Sequence, residues 1–485
     1  MDHQKSRSCR QIVRRPSLST ITTACVALLL AGVLAACGGG NNTTTGTTPT
    51  PPSASSTSVQ VNMGDSPADW MLAFSMNISS MSLTGSNGSV SVVSSATPME
   101  MMHLMGSMQP LAMVSATQGS YTGASISISS ATVMYVDPTT KSLVQTTIAG
   151  PITKTVTFGS PVTVGSTPMA IGFDLDLASS VTANANGNLS MNPVFNVTSG
   201  MQGSGSALDP SDGGIQQMMG AISSISGSSF VMTSMQAAQT FTFKTNSSTV
   251  FDNTSMSGMS SGMLLIVDAS LQSDGSLMAT RVQSMMNSGG VMGGGIITAL
   301  TGQPATSLSV VMQNGTGTGM MSSDFAAGVT INLGGSTVYG IDQDNMDMSG
   351  LPFTPVFDAS HIYAGQSVMP ISSGGMMSGS GGMMGGSSMA GTITASNLEL
   401  EPQGISGSVA TAITSGSTTS FVLTLPSDSA FNTLTGATSV TVFQQPGTAV
   451  SGTSPISNGS TVHAFGLLFF DAGQWKMVAS RIGSN

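Results

Sequence analysis

Thioether sulfur is the most abundant potential ligand in this chain, with 38 methionines among 485 residues. The run Met99-Glu100-Met101-Met102-His103-Leu104-Met105 sets several thioethers beside an imidazole. Met101, Met102, His103 and Met105 together make a soft donor set suited to Cu(I). Methionine is also an adaptable filler of apolar cores, and its even spread through strand-like and loop-like segments favours that role. Asp342, Asp344 and Asp347 put three carboxylates on one loop, as calcium sites do. The EF-hand pattern fails there, because Met346 and Asp347 stand where an oxygen ligand and a glycine are needed. Asp209 with Asp212 is a weaker version of the same arrangement. Gly258-Met259-Ser260-Ser261-Gly262 matches a nucleophile elbow in letters, but that motif has meaning only between a strand and a helix. His103, His361 and His463, the histidines beyond the N-terminal segment, are each isolated in strand-like sequence. These residues imply no cofactor, and no enzymatic reaction is expected of them.

Such residues must be carried by elements of an unusual composition. Charged residues are 7% of the chain, against about a quarter in ordinary soluble proteins. The N-terminus carries Lys5, Arg7, Arg10, Arg14 and Arg15 against Asp2, followed by an uncharged run from Thr20 to Ala36 centred on Val26-Ala27-Leu28-Leu29-Leu30. That is the charged and apolar order of an export signal, and the run is short for a bilayer span. It closes on Leu34-Ala35-Ala36-Cys37, which resembles the lipobox of bacterial lipoproteins. The resemblance implies cleavage after residue 36 and lipid on Cys37. Gly38 stands where an inner-membrane retention aspartate would be, so an outer-membrane anchor is expected.

Cys9 and Cys25 would leave with the signal and Cys37 would be acylated, so the mature chain would hold no thiol and no disulfide. Loss of residues 1–36 removes five of the eleven Lys and Arg and one of the 21 acids, leaving 6 against 20, net −14. This balance offers no basic patch, and no nucleic-acid partner is expected.

Residues 37–58, rich in Gly, Thr, Pro and Ser, read as a flexible tether. Beyond it the pattern has period two, as in Thr153-Lys154-Thr155-Val156-Thr157-Phe158 and Thr240-Phe241-Thr242-Phe243, so one face is apolar and the other polar. A mainly β fold follows, with helical patches expected at 99–113 and 213–223. Three segments end alike: Ala279-Thr280-Arg281-Val282, Ala395-Ser396-Asn397-Leu398 and Ala479-Ser480-Arg481-Ile482. Each follows a turn and an earlier Gly-initiated strand, which is the mark of internal repetition. The expected organisation is an N-terminal β-sandwich at 59–200, then tandem small β-barrel modules at 222–286, 295–402 and 403–485, the middle one with a Gly/Met-rich insertion.

With Asp274-Gly275-Ser276-Leu277-Met278-Ala279 after Gly262-Met263-Leu264-Leu265-Ile266-Val267, the modules resemble a small bacterial β-barrel domain of unknown function. Gly64-Asp65-Ser66-Pro67-Ala68-Asp69-Trp70 and Gly119-Ser120-Tyr121 make residues 59–198 similar to an uncharacterised domain at the start of bacterial lipoproteins. Neither resemblance implies a reaction. The expectation is a lipid-anchored protein of the cell envelope with a non-enzymatic binding or structural role towards a protein or glycan, the alternative being periplasmic copper binding.

Overall fold

The computed structural model describes residues 55–484 except 67, 105–107, 184–186, 202–212, 236, 238, 285–292, 314–327, 344–345, 373–391, 416–417 and 453–455. The fold is almost entirely β, as the period-two patterning requires. Two sheets open it. One orders the strands Phe195–Met201, Met169–Asp176, Ser56–Ser66 and Met108–Thr117; the other orders Gly88–Val93, Met71–Gly85, Gly119–Val136 and Leu143–Val164. Val59, Val61 and Met63 from the first meet Phe74, Ile78, Ile126 and Ile128 from the second in one apolar core. Burial of each such side chain contributes about 1.5–3 kcal/mol, which lets a weakly charged sequence fold without disulfides.

Three further sheets follow. Residues 214–284 form a six-stranded sheet whose edge strand Thr240–Lys244 also pairs in parallel, through Phe243 and Lys244, with Leu277 and Met278 of the strand next to the opposite edge. Residues 295–400 form an open seven-stranded sheet, and residues 403–484 a closed five-stranded barrel. Of the three barrels expected, one is therefore fully closed. The middle sheet stays open because the chain from Thr392 to Leu400 divides: Thr392–Thr394 pairs with Gly328–Asn332, and Asn397–Leu400 pairs with Ser367–Ile371 and Val338–Ile341. Its core is completed by Leu467, Phe469 and Val478, which point outward from the neighbouring barrel. This explains the continuous apolar run Phe465-Gly466-Leu467-Leu468-Phe469-Phe470, buried on both faces.

One local device recurs in all three sheets. The Thr249 hydroxyl accepts from the Asn246 N–H at 3.0 Å and donates to the Ala279 carbonyl at 2.7 Å. Thr337 does the same between Gly334 and Ala395, at 2.9 Å on each side. Thr448 does so between Gln445 and Ala479, at 2.8 and 2.7 Å. The acceptors are the alanines of the repeated Ala-Thr/Ser-x-aliphatic endings, so the repetition seen in sequence is a repetition of structure, including in the middle sheet.

Neither expected helical patch is a helix. Residues 99–113 divide into the strand Thr97–Glu100, the single 3-10 turn Met102–Leu104 and the strand Met108–Thr117. Residues 213–223 lie in the strand Gly214–Ser226, where a bulge sets Gln216 and Gln217 against the single residue Asp268, and the one extra residue breaks the alternation and imitates a helical spacing of apolar positions. The helix Ala430–Thr435 begins where Ser429 Oγ accepts from the Asn432 N–H at 3.0 Å and ends at Gly436, whose φ of 73° suits a residue without Cβ.

The sheets are packed together rather than strung out. Leu72, Ala73, Ile296, Val311 and Ala430 form an apolar seam between the N-terminal sheets, the middle sheet and the last helix. Met219, Met369 and Ile371 join the first and middle repeat sheets. Glutamines bridge between them as well: Gln313 Nε2 donates to the Leu72 carbonyl at 2.6 Å and Gln366 Nε2 to the Leu468 carbonyl at 3.0 Å.

Candidate ligand-binding cavity

Where these sheets converge, they enclose a cavity of about 140 Å³, room for roughly five waters. Each sheet contributes polar side chains to its wall. Asp69 enters from the turn before Met71–Gly85, His103 from the 3-10 turn, Gln216 and Arg281 from the first repeat sheet, Glu401 from the end of the second, and Ser406 and Arg481 from the barrel. Arg281 and Arg481 are the only arginines after Arg15. Both line this one cavity, from equivalent places in the first and third repeats. Glutamines 109, 217, 283, 313 and 403 add carboxamides that can both donate and accept. Met71, Leu72, Ile266, Ile296, Phe431 and Leu434 supply apolar wall.

The arginines are held in place. Arg281 Nε lies 2.5 Å from Asp252 Oδ2. Arg481 Nη1 donates to Gln216 Oε1 at 2.7 Å, and its guanidinium stands 4.4 Å from the centre of the Phe465 ring. Gln216 reaches it because the adjoining Gln217 takes a φ of 48°, with its N–H donating to Asp268 Oδ1 at 2.7 Å. A bulge that re-aims a side chain, held by a carboxylate in backbone a non-glycine residue rarely adopts, is the kind of feature found at working sites.

Carboxyls in the wall are unusual too. Glu401 is half-buried and lines the cavity. Burial, reinforced by Asp342 and Glu399, pushes its carboxyl up to about 8, so near neutrality it is mostly a protonated donor. Burial also raises Asp69, against the opposing hydrogen bond from Ser406 and the influence of His463. Ser406 Oγ lies 2.7 Å from His463 Nδ1. The order is thus carboxyl, hydroxyl, imidazole, whereas a nucleophilic triad puts the imidazole in the middle.

The residues singled out from sequence are distributed as follows. Met101 and Met102 are buried in the core of the N-terminal sheets, at 0% and 5% exposure, and Met102 also touches the cavity. His103 is pinned through Nδ1 to Glu100 Oε2 at 2.8 Å. The same carboxylate accepts from the N–H groups of Phe74, Met102 and His103, which fixes the turn. Met105, Cys37, Asp344, Asp209, Asp212 and the Gly/Met-rich insertion of the middle module, with its methionines from Met376 to Met389, lie outside the described residues. Asp342 lines the cavity, while Asp347 is exposed and accepts from the Ser349 N–H at 2.8 Å. Ser260 is exposed in the turn between a 3-10 turn and the strand Leu264–Leu271, not in a strand-to-helix elbow. Among the described residues, no group of three or more His, Cys, Asp and Glu is placed to hold a metal ion. The glutamines and the Gln216–Gln217 bulge carried no sequence signal, but the paired arginines did: they stand at one register of the repeat.

Residues 219–283 match the model of a domain of unknown function, DUF5666. That domain is present here. It falls on the first repeat sheet, where the resemblance read from sequence is closest. No curated protein matches the chain. Three solved structures are weakly similar. Drosophila Unr CSD456 shares 10% identity over 54% of this chain and 94% of its own, with a TM-score of 0.12. A multidomain protein with nucleic acid binding domains from Streptococcus pneumoniae shares 11% over 54% and 72%, with a TM-score of 0.11. The periplasmic gluconolactonase PpgL of Pseudomonas aeruginosa shares 10% over 50% and 76%, with a TM-score of 0.10. The exclusion of nucleic acid drawn from the charge balance is withdrawn, since a protein with nucleic-acid-binding domains is among these matches. At such TM-scores the likeness carries no argument about what this chain binds.

Proposed function

We propose that this protein is an envelope lipoprotein, anchored to the outer membrane through lipid on Cys37, that binds a small polar molecule in its central cavity without transforming it. One observation carries the binding role: a chain with 11 Lys and Arg in all sends both arginines of its folded part, with six glutamines and several carboxyls, into one cavity. Polar groups converging on one concavity beside apolar wall are the usual composition of a ligand site. The anchor is supported by the charged segment, the apolar run and Leu34-Ala35-Ala36-Cys37.

Native mass spectrometry of the full chain purified from a bacterial membrane fraction tests both parts. The expected protein begins at Cys37, carries acyl mass, and retains a polar small molecule that Arg281→Gln or Arg481→Gln releases. Retention of residues 1–36 would refute the anchor. A polar-metabolite extract that leaves no bound mass on wild type would refute the binding role.

A further inference from the structure

The barrel places a cation and a carboxyl of the central cavity a short step apart. Ile405, Ala464 and Ile482 point into the barrel core, so Ser406, His463, Phe465 and Arg481, which alternate with them, point out of it. Arg481, Phe465 and Gly404 are partners across three neighbouring strands, and the guanidinium rests 4.4 Å from the centre of the Phe465 ring. Ser406, to which the Asp69 carboxyl is hydrogen-bonded, lies two residues beyond Gly404 on the same face, a step of about 7 Å along the strand. A hydrogen bond from each charge takes up about 2.8 Å, so one small molecule with an anionic and a cationic group on neighbouring atoms can engage both ends.

The rest of the wall favours such a molecule over one of a single sign. A lone anion would face Asp69 and Asp342, and a lone cation would face Arg281 and Arg481. Glu401, mostly protonated near neutrality, adds a donor rather than a charge. Gln109 lines the cavity from the N-terminal sheets, as Asp69 does. It is 6% exposed, and its Oε1 is buried without a hydrogen-bond partner. A buried acceptor left in this state calls for a donor, and an ammonium offers three donors and no acceptor. Size sets a further limit. A cavity of about 150 Å³ holds one molecule of benzene, so the 140 Å³ here takes roughly six to eight non-hydrogen atoms.

We infer that the central cavity binds a small α-amino acid as its zwitterion, with the carboxylate at Arg481, the ammonium facing Asp69 and Gln109, and a short apolar side chain against Leu72, Ile296 and Phe431. This rests on the binding role proposed above and names its ligand class.

Isothermal titration calorimetry of the full chain at pH 7 tests it with two matched sets: alanine, propionate and ethylamine, then valine, isovalerate and isobutylamine. Within each set the second compound lacks the ammonium and the third lacks the carboxylate. At least one of the two amino acids should bind about tenfold or more tighter than both of its own analogues, since each removes a charge-assisted contact. Asp69→Asn should weaken that amino acid about tenfold and leave the acid analogue within about twofold of its wild-type affinity. Arg481→Gln should weaken the amino acid and the acid analogue and spare the amine. Analogues that bind as tightly as their amino acids, variants that weaken all three compounds of a set alike, or no binding by either amino acid would overturn the inference. If native mass spectrometry then shows another polar molecule released by Arg481→Gln, the binding role stands and only the ligand class falls. If nothing is retained, both fall.

Discussion

Replacing Glu401 with glutamine should make the protein's stability less sensitive to alkaline pH. In the folded chain burial, then Asp342 and Glu399, raise the carboxyl from 4.5 to about 8. A carboxyl whose folded value lies above its unfolded one is no burden below the unfolded value. Its cost grows as pH rises from about 4.5 and is complete above about 8. Each unit of difference is worth about 1.4 kcal/mol, so the ceiling is ~5 kcal/mol. Cavity water screens the ionised form and brings the expected cost to ~2–3 kcal/mol. Glu401→Gln keeps the shape and loses the charge. It should lie within ~1 kcal/mol of wild type at pH 5 and be ~2–3 kcal/mol more stable at pH 9. Urea denaturation followed by tryptophan fluorescence reads this, because Trp475 stacks edge-on against Phe431 in the barrel at 4.9 Å while Trp70 reports from the N-terminal sheets. Asp65, Asp69, Asp174 and Glu399 are also raised by burial. Wild type and variant share those groups, so the difference between them isolates Glu401. Parallel pH profiles, or a variant less stable than wild type at pH 9, would refute the reasoning.

Other expectations follow from single contacts. Thr249→Val, Thr337→Val and Thr448→Val each strip a hydroxyl that satisfies one N–H and one carbonyl, and each should cost about 1–3 kcal/mol in denaturant titrations. Similar losses from all three would establish the repeated device, and a negligible loss at Thr337 would separate the middle sheet from it. Gly466→Ala would put a methyl 2.0 Å from the Val478 carbonyl oxygen in the barrel; a loss of about 3 kcal/mol or more is expected, measured as a lowered Tm. Asp65 is buried with both carboxyl oxygens unpartnered. Asp65→Asn should therefore raise Tm, more so at pH 8 than at pH 5, since the folded protein pays increasingly to keep the native carboxyl as pH rises. Met101→Ala should cost about 2–5 kcal/mol as a core truncation. A competitive Cu(I) titration should show no stoichiometric uptake by wild type that this substitution abolishes, and uptake of that kind would favour the copper reading over a core role.

Much of the architecture could be read from residue order, because alternation of apolar and polar side chains is a local property with one structural solution. Strands such as Leu264–Leu271 and Thr240–Lys244 announce themselves in that way. The repeat was visible as well, since the same threonine-to-alanine contact is rebuilt wherever the local sequence recurs. Errors arose where local pattern and long-range packing diverge. The bulge at Gln216 and Gln217 mimics a helical period, and the apolar run near Leu467 reflects a neighbouring core that its own sequence does not contain.

The cavity belongs wholly to the tertiary level. Asp69 and Ser406 are 337 positions apart, Gln216 and Arg481 265 apart, and no spacing rule connects them. They meet because apolar seams at Leu72, Ile296 and Ala430, and at Met219 and Met369, dock separate sheets face to face. Composition and periodicity therefore dictate strands, repeats and the class of fold. Which polar groups share a site, and that burial there leaves Glu401 protonated near neutrality, depends on packing between elements far apart in the chain, because desolvation and charge proximity are properties of space and not of sequence.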